Sequence, residues 1–252
     1  MNKSKGVMIV TYLFMGILTV TLLITALVLK DKYDFTKTIG ALSWIALSLY
    51  FIVEFIVIRT STVPYNFLKQ PMSDLGVTIC GIDTYELAAY EICSPAHLAM
   101  NWTFTLTGIA VFTGAIFLHR FWPDNMKTKT ATVLLVIFGI SYSISGIFPA
   151  DINFLIHTFA SLPGMFVQIP ALIIIGRAIK STMPKLSKWT YFCLALNLLS
   201  LLFIFLQPVF PELPGGLIQR MLYASVWLWM IVTGIVLLNK SVQRKQGLCE
   251  IK

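Results

Sequence analysis

Residues 130–176 read TATVLLVIFGISYSISGIFPADINFLIHTFASLPGMFVQIPALIIIG. Two uncharged runs, Thr130–Ala150 and Thr158–Gly176, flank a short polar joint that ends in His157. A helix needs about 20 predominantly apolar residues to cross the hydrocarbon core of a bilayer, and each run is close to that length. Asp151 and His157 then fall together at a membrane edge, where charged groups are costly unless solvated, paired or used. The segment predicts a helical hairpin that crosses a membrane twice and carries a polar site at its bend.

The pattern repeats outward from this hairpin. Uncharged runs also occupy Gly6–Leu29, Thr38–Val53 (continuing past Glu54 to Ile58), Leu98–Leu118, Trp189–Pro211 and Met221–Asn239. With 57% hydrophobic residues, 12% charged residues and a mean hydropathy of +0.81, the chain is excluded from the ordinary soluble domains. The expectation is an all-α, polytopic transmembrane bundle of seven helices forming one domain over residues 1–252. The helices are placed at about 7–29, 38–58, 97–119, 130–149, 157–178, 189–208 and 217–239, with a long outer loop over 59–96. The first run follows Lys3 and Lys5 as a secretory signal would. It is longer than the ~7–15 residues of a signal core and lacks a small-residue cleavage site, so it reads as a helix.

Orientation follows from the basic residues. One set of segments holds fourteen Lys and Arg, among them Lys30, Arg120, Lys129, Arg177, Lys188, Arg244 and Lys245, together with Lys252 in the tail. The opposite set holds five: Lys3, Lys5, Arg59, Lys69 and Arg220. This asymmetry predicts an outer N-terminus, a cytoplasmic C-terminus and residence in the plasma membrane, for a bacterium the inner membrane. The net charge of +8 then describes a face lying against anionic lipid, with no need of nucleic acid as a partner.

The outer loop contains Pro64, Pro71, Gly76, Gly81 and Pro95 together with Asp74, Asp83, Glu86 and Glu91. Loops of this length are usually functional or disordered, and its apolar content favours an ordered cap. Ser73-Asp74-Leu75-Gly76 reads as a turn or helix cap, and Asp83–Ile92 as a short acidic, amphipathic surface helix. Cys80 and Cys93 are a candidate disulfide, since an outward loop lies in an oxidising space. Cys193 reads as a small apolar residue, and Cys249 lies in the basic tail, where lipidation has no supporting motif. Small residues form stripes at Thr103, Thr107, Ala110 and Gly114 and at Gly139, Ser143 and Gly146, where helices approach closely. Pro163 and Pro170 predict a bend in the fifth helix beside Gln168.

The candidate site residues gather on the outer side. Asp151 and His157 are the catalytic candidates, with the carboxylate orienting an imidazole that can change charge near neutrality. Ser73, Asp74, Glu54, His97 and Asn101 are the ligand-binding candidates. Glu54 lies about one turn from Arg59, which suggests either a helix-end ion pair or a place in a cavity wall. The plainer reading of Asp151 and His157 is a hydrogen bond that fixes the turn. Two histidines with carboxylates are also compatible with a divalent metal, and His97 with His157 with a haem, but no ligand spacing supports either, so the cofactor is left unknown. His119, beside Arg120, reads as a boundary residue at a helix C-terminus. Phosphate-binding glycine loops, nucleophile elbows, zinc-protease helices and inverted repeats of broken helices are not found.

Gln70-Pro71-Met72-Ser73-Asp74-Leu75-Gly76, the ending Gly146-Ile147-Phe148-Pro149-Ala150-Asp151, and the following His157 form a recurring set. With them the chain from Thr38 onward resembles a widespread bacterial family of multi-helix membrane proteins catalogued as domain of unknown function nine-nine-eight. Ser94-Pro95-Ala96-His97 departs from that pattern, which leads one to expect a basic residue after the proline. The resemblance implies the architecture and points to Asp74, Asp151 and His157, while supplying no reaction. Three functions remain in view. The first is an outward Asp/His site that binds or processes a lipid head group or small amphiphile. The second is a solute or proton path along the bent fifth helix through Gln168 towards Asn197. The third is a non-catalytic sensor or assembly protein acting through the outer loop.

Overall fold

A computed structural model describes residues 3–32 and 34–249, with side chains for 6–32 and 34–240. Lys3, Lys5, Arg244, Lys245 and Cys249 lie outside the described side chains, and Lys252 outside the described residues. The regular secondary structure of the described residues is helical apart from one isolated two-residue bridge, and it includes seven helical stretches long and apolar enough to cross a membrane. The helices are α1 Lys3–Leu29, α2 Thr36–Ile45, α3 Ser48–Thr60, α4 His97–Leu118, α5 Met126–Ile147, α6 Phe154–Phe166, α7 Gln168–Ala178, α8 Pro184–Leu206 and α9 Gly215–Cys249. Short 3-10 turns occupy Met72–Gly76 and His119–Phe121.

Two of the expected spans are broken helices. The second divides into α2 and α3 at Ala46–Leu47 without a proline. Leu47 N–H donates to the Trp44 carbonyl at 3.3 Å and Ser48 Oγ to that of Ile45 at 2.9 Å, so local bonds cover groups the break would orphan. The fifth divides into α6 and α7 at Val167, between Pro163 and Pro170. Neither proline can donate to the helical ladder, and Gln168 Nε2 donates to the Met165 carbonyl at 2.9 Å beside the gap. The span is therefore interrupted between the two prolines, where a bend was predicted.

Capping residues set several starts. Asn125 and Thr128 form a reciprocal capping box at α5, Asn153 accepts from Ile156 N–H at 2.9 Å at α6, and Pro184 opens α8. Gly114, Gly139 and Ser143 of the predicted stripes lie at tight contacts, and Gly108, outside them, lies at another. A Cβ on Gly108 of α4 would overlap the Gly139 carbonyl of α5, and one on Gly114 would overlap the Trp44 ring. Trp44 Nε1 also donates to the Val111 carbonyl at 3.1 Å, which fixes α2 against α4. Deeper in the bundle Tyr50, Phe104, Tyr142, Tyr223 and Trp227 pack ring against ring, with centroids 4.2–6.4 Å apart. That spacing suits edge-on and offset aromatic contacts.

The connections sort onto two faces. Residues 61–96, 148–153 and 207–214 share one, tied by Leu217 N–H to the Leu68 carbonyl at 3.0 Å and by Thr78 to Asp151. The other face carries exposed ion pairs, Lys37–Asp34 at 3.1 Å, Arg120–Asp34 at 3.6 Å and Lys129–Asp124 at 2.9 Å. His119 lies there with Nδ1 2.7 Å from Thr132 Oγ1.

Candidate functional site in the cap

Residues 61–96 form an ordered cap over the helix ends. The disulfide Cys80–Cys93, with Cα atoms 4.3 Å apart, closes its central part. Inside it, Gly81 and Ile92 exchange backbone bonds of 3.0 and 2.9 Å, and Asp83 N–H reaches the Ala88 carbonyl. Asp83 turns the chain with φ 55°, a conformation that aspartate tolerates better than most residues. The expected helix over Asp83–Ile92 is therefore replaced by a closed hairpin-like loop. A ten-residue helix is about 15 Å long, and a disulfide that brings the flanking residues together cannot contain it.

Asp74 is the anchor of this loop. It sits in the 3-10 turn Met72–Gly76 at 1% exposure. Tyr85 Oη donates to its Oδ1 at 2.5 Å and Tyr90 Oη to its Oδ2 at 2.8 Å. Burial pushes its carboxyl up to about 6, against the opposing pull of the two phenols, of Arg220 and of Gln70. Burial also raises the phenols of Tyr65, Tyr85 and Tyr90 above their ordinary range. Ser73, next to Asp74, is half-buried and its hydroxyl bonds to no described residue.

Glu54 pairs with Arg220, correcting the expected neighbour Arg59. Arg220 Nε donates to Glu54 Oε1 at 3.0 Å, with both side chains under one-tenth exposed. The rest of the guanidinium donates to the carbonyls of Phe67, Gln70 and Gly216 and to Tyr65 Oη, and lies 4.3 Å from the Phe67 ring centroid. Arg59 instead lies over the Phe55 ring. Arg220 thus ties α3, the cap and α9 together, a role that its place in the orientation count did not reveal. Its only sequence signal was a lone arginine at the start of an apolar run.

Asn101, buried in α4, donates through Nδ2 to Tyr12 Oη of α1 at 3.0 Å and to the Gly76 carbonyl at 2.8 Å. Gly76 and Gly146 both press on it: a Cβ on Gly76 would overlap Asn101 Oδ1, and one on Gly146 its backbone carbonyl. His97 opens α4 with Nδ1 3.0 Å from the Ser94 carbonyl.

Asp151 and His157 do not bond to each other. Asp151 Oδ2 accepts from Thr78 N–H at 2.9 Å and from Thr78 Oγ1 at 2.6 Å, fastening the cap to the α5–α6 turn. Its Oδ1 is shielded from solvent and has no partner among the described residues. His157 Nδ1 lies 2.8 Å from the Phe148 carbonyl, so it carries the proton and covers a carbonyl left free at the end of α5. Any orienting effect of Asp151 on the imidazole therefore does not run through a direct hydrogen bond.

Beside Asp151 an open groove of about 680 Å³ runs between residues 83–86 and 150–155. Asp83, Glu86 and Asp151 line it, with Tyr85 and Phe154 stacked at 5.6 Å, and no Lys, Arg or His contributes to its wall. Leu155 and Phe159, further along α6, are about two-thirds exposed and apolar. Among the described residues no three His, Cys, Asp or Glu side chains converge as a metal site would need.

Seven membrane-length helices under a disulfide-closed cap define a multi-pass membrane protein. The chain belongs to the family described as "Protein of unknown function (DUF998)", which matches residues 44–236. No curated protein and no solved structure matches it. The matched range takes in Glu54, the cap, Asn101, Asp151, His157 and Arg220, and leaves out α1.

Proposed function

We propose that the groove beside Asp151 faces outward from the plasma membrane and binds the head group of a lipid, or another small amphiphile, carrying an amine. The observation that carries this reading is the pairing of a carboxylate wall, Asp83, Glu86 and Asp151, with the bare apolar flank of α6. An ammonium group would meet Asp83, Glu86 and Asp151 and the faces of Tyr85 and Phe154, which attract cations. Acyl chains would lie along Leu155 and Phe159. Binding is favoured over catalysis because His157 is turned to the Phe148 carbonyl and lies outside the groove wall. A transport path has less support. Gln168 Nε2 donates across the break to the Met165 carbonyl of α6, and Asn197 Nδ2 to the Leu222 carbonyl and Ser225 Oγ, beside a packed aromatic centre.

The test is native mass spectrometry of the protein released from nanodiscs containing equal phosphatidylethanolamine and phosphatidylglycerol. Preferential retention of the amine-bearing lipid, lost in the Glu86→Gln/Asp151→Asn double variant, is expected. Equal retention of both lipids by the wild type, or an unchanged preference in the variant, would overturn the reading.

A further inference from the structure

Tyr85 belongs to two structures at once. Its hydroxyl holds Asp74, and its ring stacks on Phe154 and forms part of the groove wall. The segment carrying it is short and tied at its base by the Gly81–Ile92 bridge and the Cys80–Cys93 disulfide, which close it into one small loop. Its tip is fastened by the Tyr85 and Tyr90 bonds to one buried carboxyl group and by the packing of Ala88 and Ile92 on Val77. Asp74 also borders a void of about 10 Å³, roughly the room one water needs. That void shares Val63, Pro64 and Gln70 with an open cleft of about 460 Å³, which gives protons a way in.

We propose that Asp74 is a proton-operated latch: its protonated form keeps the 81–92 loop closed, and loss of the proton releases the loop and moves Tyr85 off the groove. The direction follows from linkage. Burial raises the carboxyl to about 6 in the closed cap, and exposure to water on opening returns it towards its ordinary value of 3.8. The conformer with the lower pKa gains as pH rises, so opening is favoured above the closed-state value and suppressed below it.

The groups facing Asp74 are accounted for. Tyr65, Tyr85 and Tyr90 are phenols raised further from neutrality, Arg220 of α9 is engaged with Glu54 of α3, and His97 of α4 is turned to Ser94. Asp83, Glu86 and Glu91 on the loop are exposed to solvent. The latch needs no ligand, and only its effect on binding rests on the groove's proposed role.

Hydrogen-exchange mass spectrometry of the full chain in nanodiscs, corrected for intrinsic exchange, tests it. Opening of residues 81–92 should be about tenfold more populated at about pH 7.5 than at about pH 5. In Asp74→Asn the difference should vanish, with the loop closed at both values. A wild-type loop indifferent to pH would overturn the latch, as would Asp74→Asn retaining the tenfold change, which would assign the titration to another group. Should Asp74→Asn fail to fold, Tyr90→Phe serves instead. Removing one donor raises the closed-state value, so the response must steepen and its midpoint rise, and an unaltered response would overturn the latch. Exchange is read without added ligand, so failure of the groove to bind lipid leaves this result standing.

Discussion

Arg220 Nε and Glu54 Oε1 meet at 3.0 Å although they lie on the last and second membrane spans, and both side chains are buried. The guanidinium spends its other donors on three carbonyls and Tyr65, so the pair is part of a satisfied network. Removing one member of such a pair strands a buried charge and costs about 3–5 kcal/mol. Glu54→Ala and Arg220→Ala should each lower the thermal unfolding midpoint in detergent sharply. Arg220→Lys should also fail, because one ammonium cannot reproduce the fork of donors. A midpoint unchanged in either alanine variant would contradict the network's role.

Gly108 and Gly16 are both helical glycines with opposite surroundings. A methyl group on Gly108 runs into the backbone of α5 at Gly139 and Ser143, whereas nothing lies within 4 Å of one on Gly16. Gly108→Ala should destabilise the protein by about 1–3 kcal/mol or more, since neither backbone can yield without separating the helices. Gly16→Ala should be neutral or mildly stabilising through helix propensity. Thermal melts of the two variants beside the wild type decide this, and equal effects would show that the α4–α5 contact is looser than described.

Much of the fold was legible because a membrane span announces itself through length and the absence of charge. The two breaks were less so. Pro163 and Pro170 flagged the fifth span, but Ala46–Leu47 carries no helix-breaking residue, and only Ser48 hints that a carbonyl there is covered by a side chain. The Asp83–Ile92 helix was misread because local amphipathicity was weighed apart from Cys80 and Cys93, whose bonding excludes it. Asp74, Asn101 and Asp151 were singled out as polar groups in unusual places, and the first two are buried. Their partners Tyr85, Tyr90, Tyr12 and Thr78 lie 11 to 89 residues away, a distance across which periodicity and spacing carry no signal. For the same reason Arg59 was the only partner weighed for Glu54, beside a place in a cavity wall, and Arg220 was missed.

Leu87 at the tip of the cap is 73% exposed and Met126 at the start of α5 is 76% exposed, on opposite faces of the bundle. If the basic face is cytoplasmic, Leu87→Cys should react with a membrane-impermeant maleimide in intact cells, and Met126→Cys only after permeabilisation. The disulfide on the cap face argues the same way, since such bonds persist in oxidising compartments. The reverse labelling pattern would invert the orientation and place the groove inside the cell.

Asp74 makes global stability depend on pH with a sign that can be worked out. Its carboxyl stands at about 6 in the folded protein against an ordinary 3.8, because burial outweighs the Tyr85 and Tyr90 bonds. A group raised in this way contributes stability that is fully present below the ordinary value and is lost as pH rises through the folded one. Between about pH 5 and pH 7.5 the wild type should therefore lose about 1.4 kcal/mol at this residue, which corresponds to a tenfold change. Asp74→Asn keeps the shape and cannot ionise, so it lacks that loss. Unfolding curves in detergent at the two pH values should show the variant gaining on the wild type by about that amount as pH rises. The full amount is expected while the closed cap is the main folded form, because opening returns the carboxyl towards its ordinary value. If the difference between variant and wild type stays constant across the range, Asp74 keeps an ordinary carboxylate pKa despite its burial, and the closed cap must be wetter around Tyr85 and Tyr90 than its packing shows.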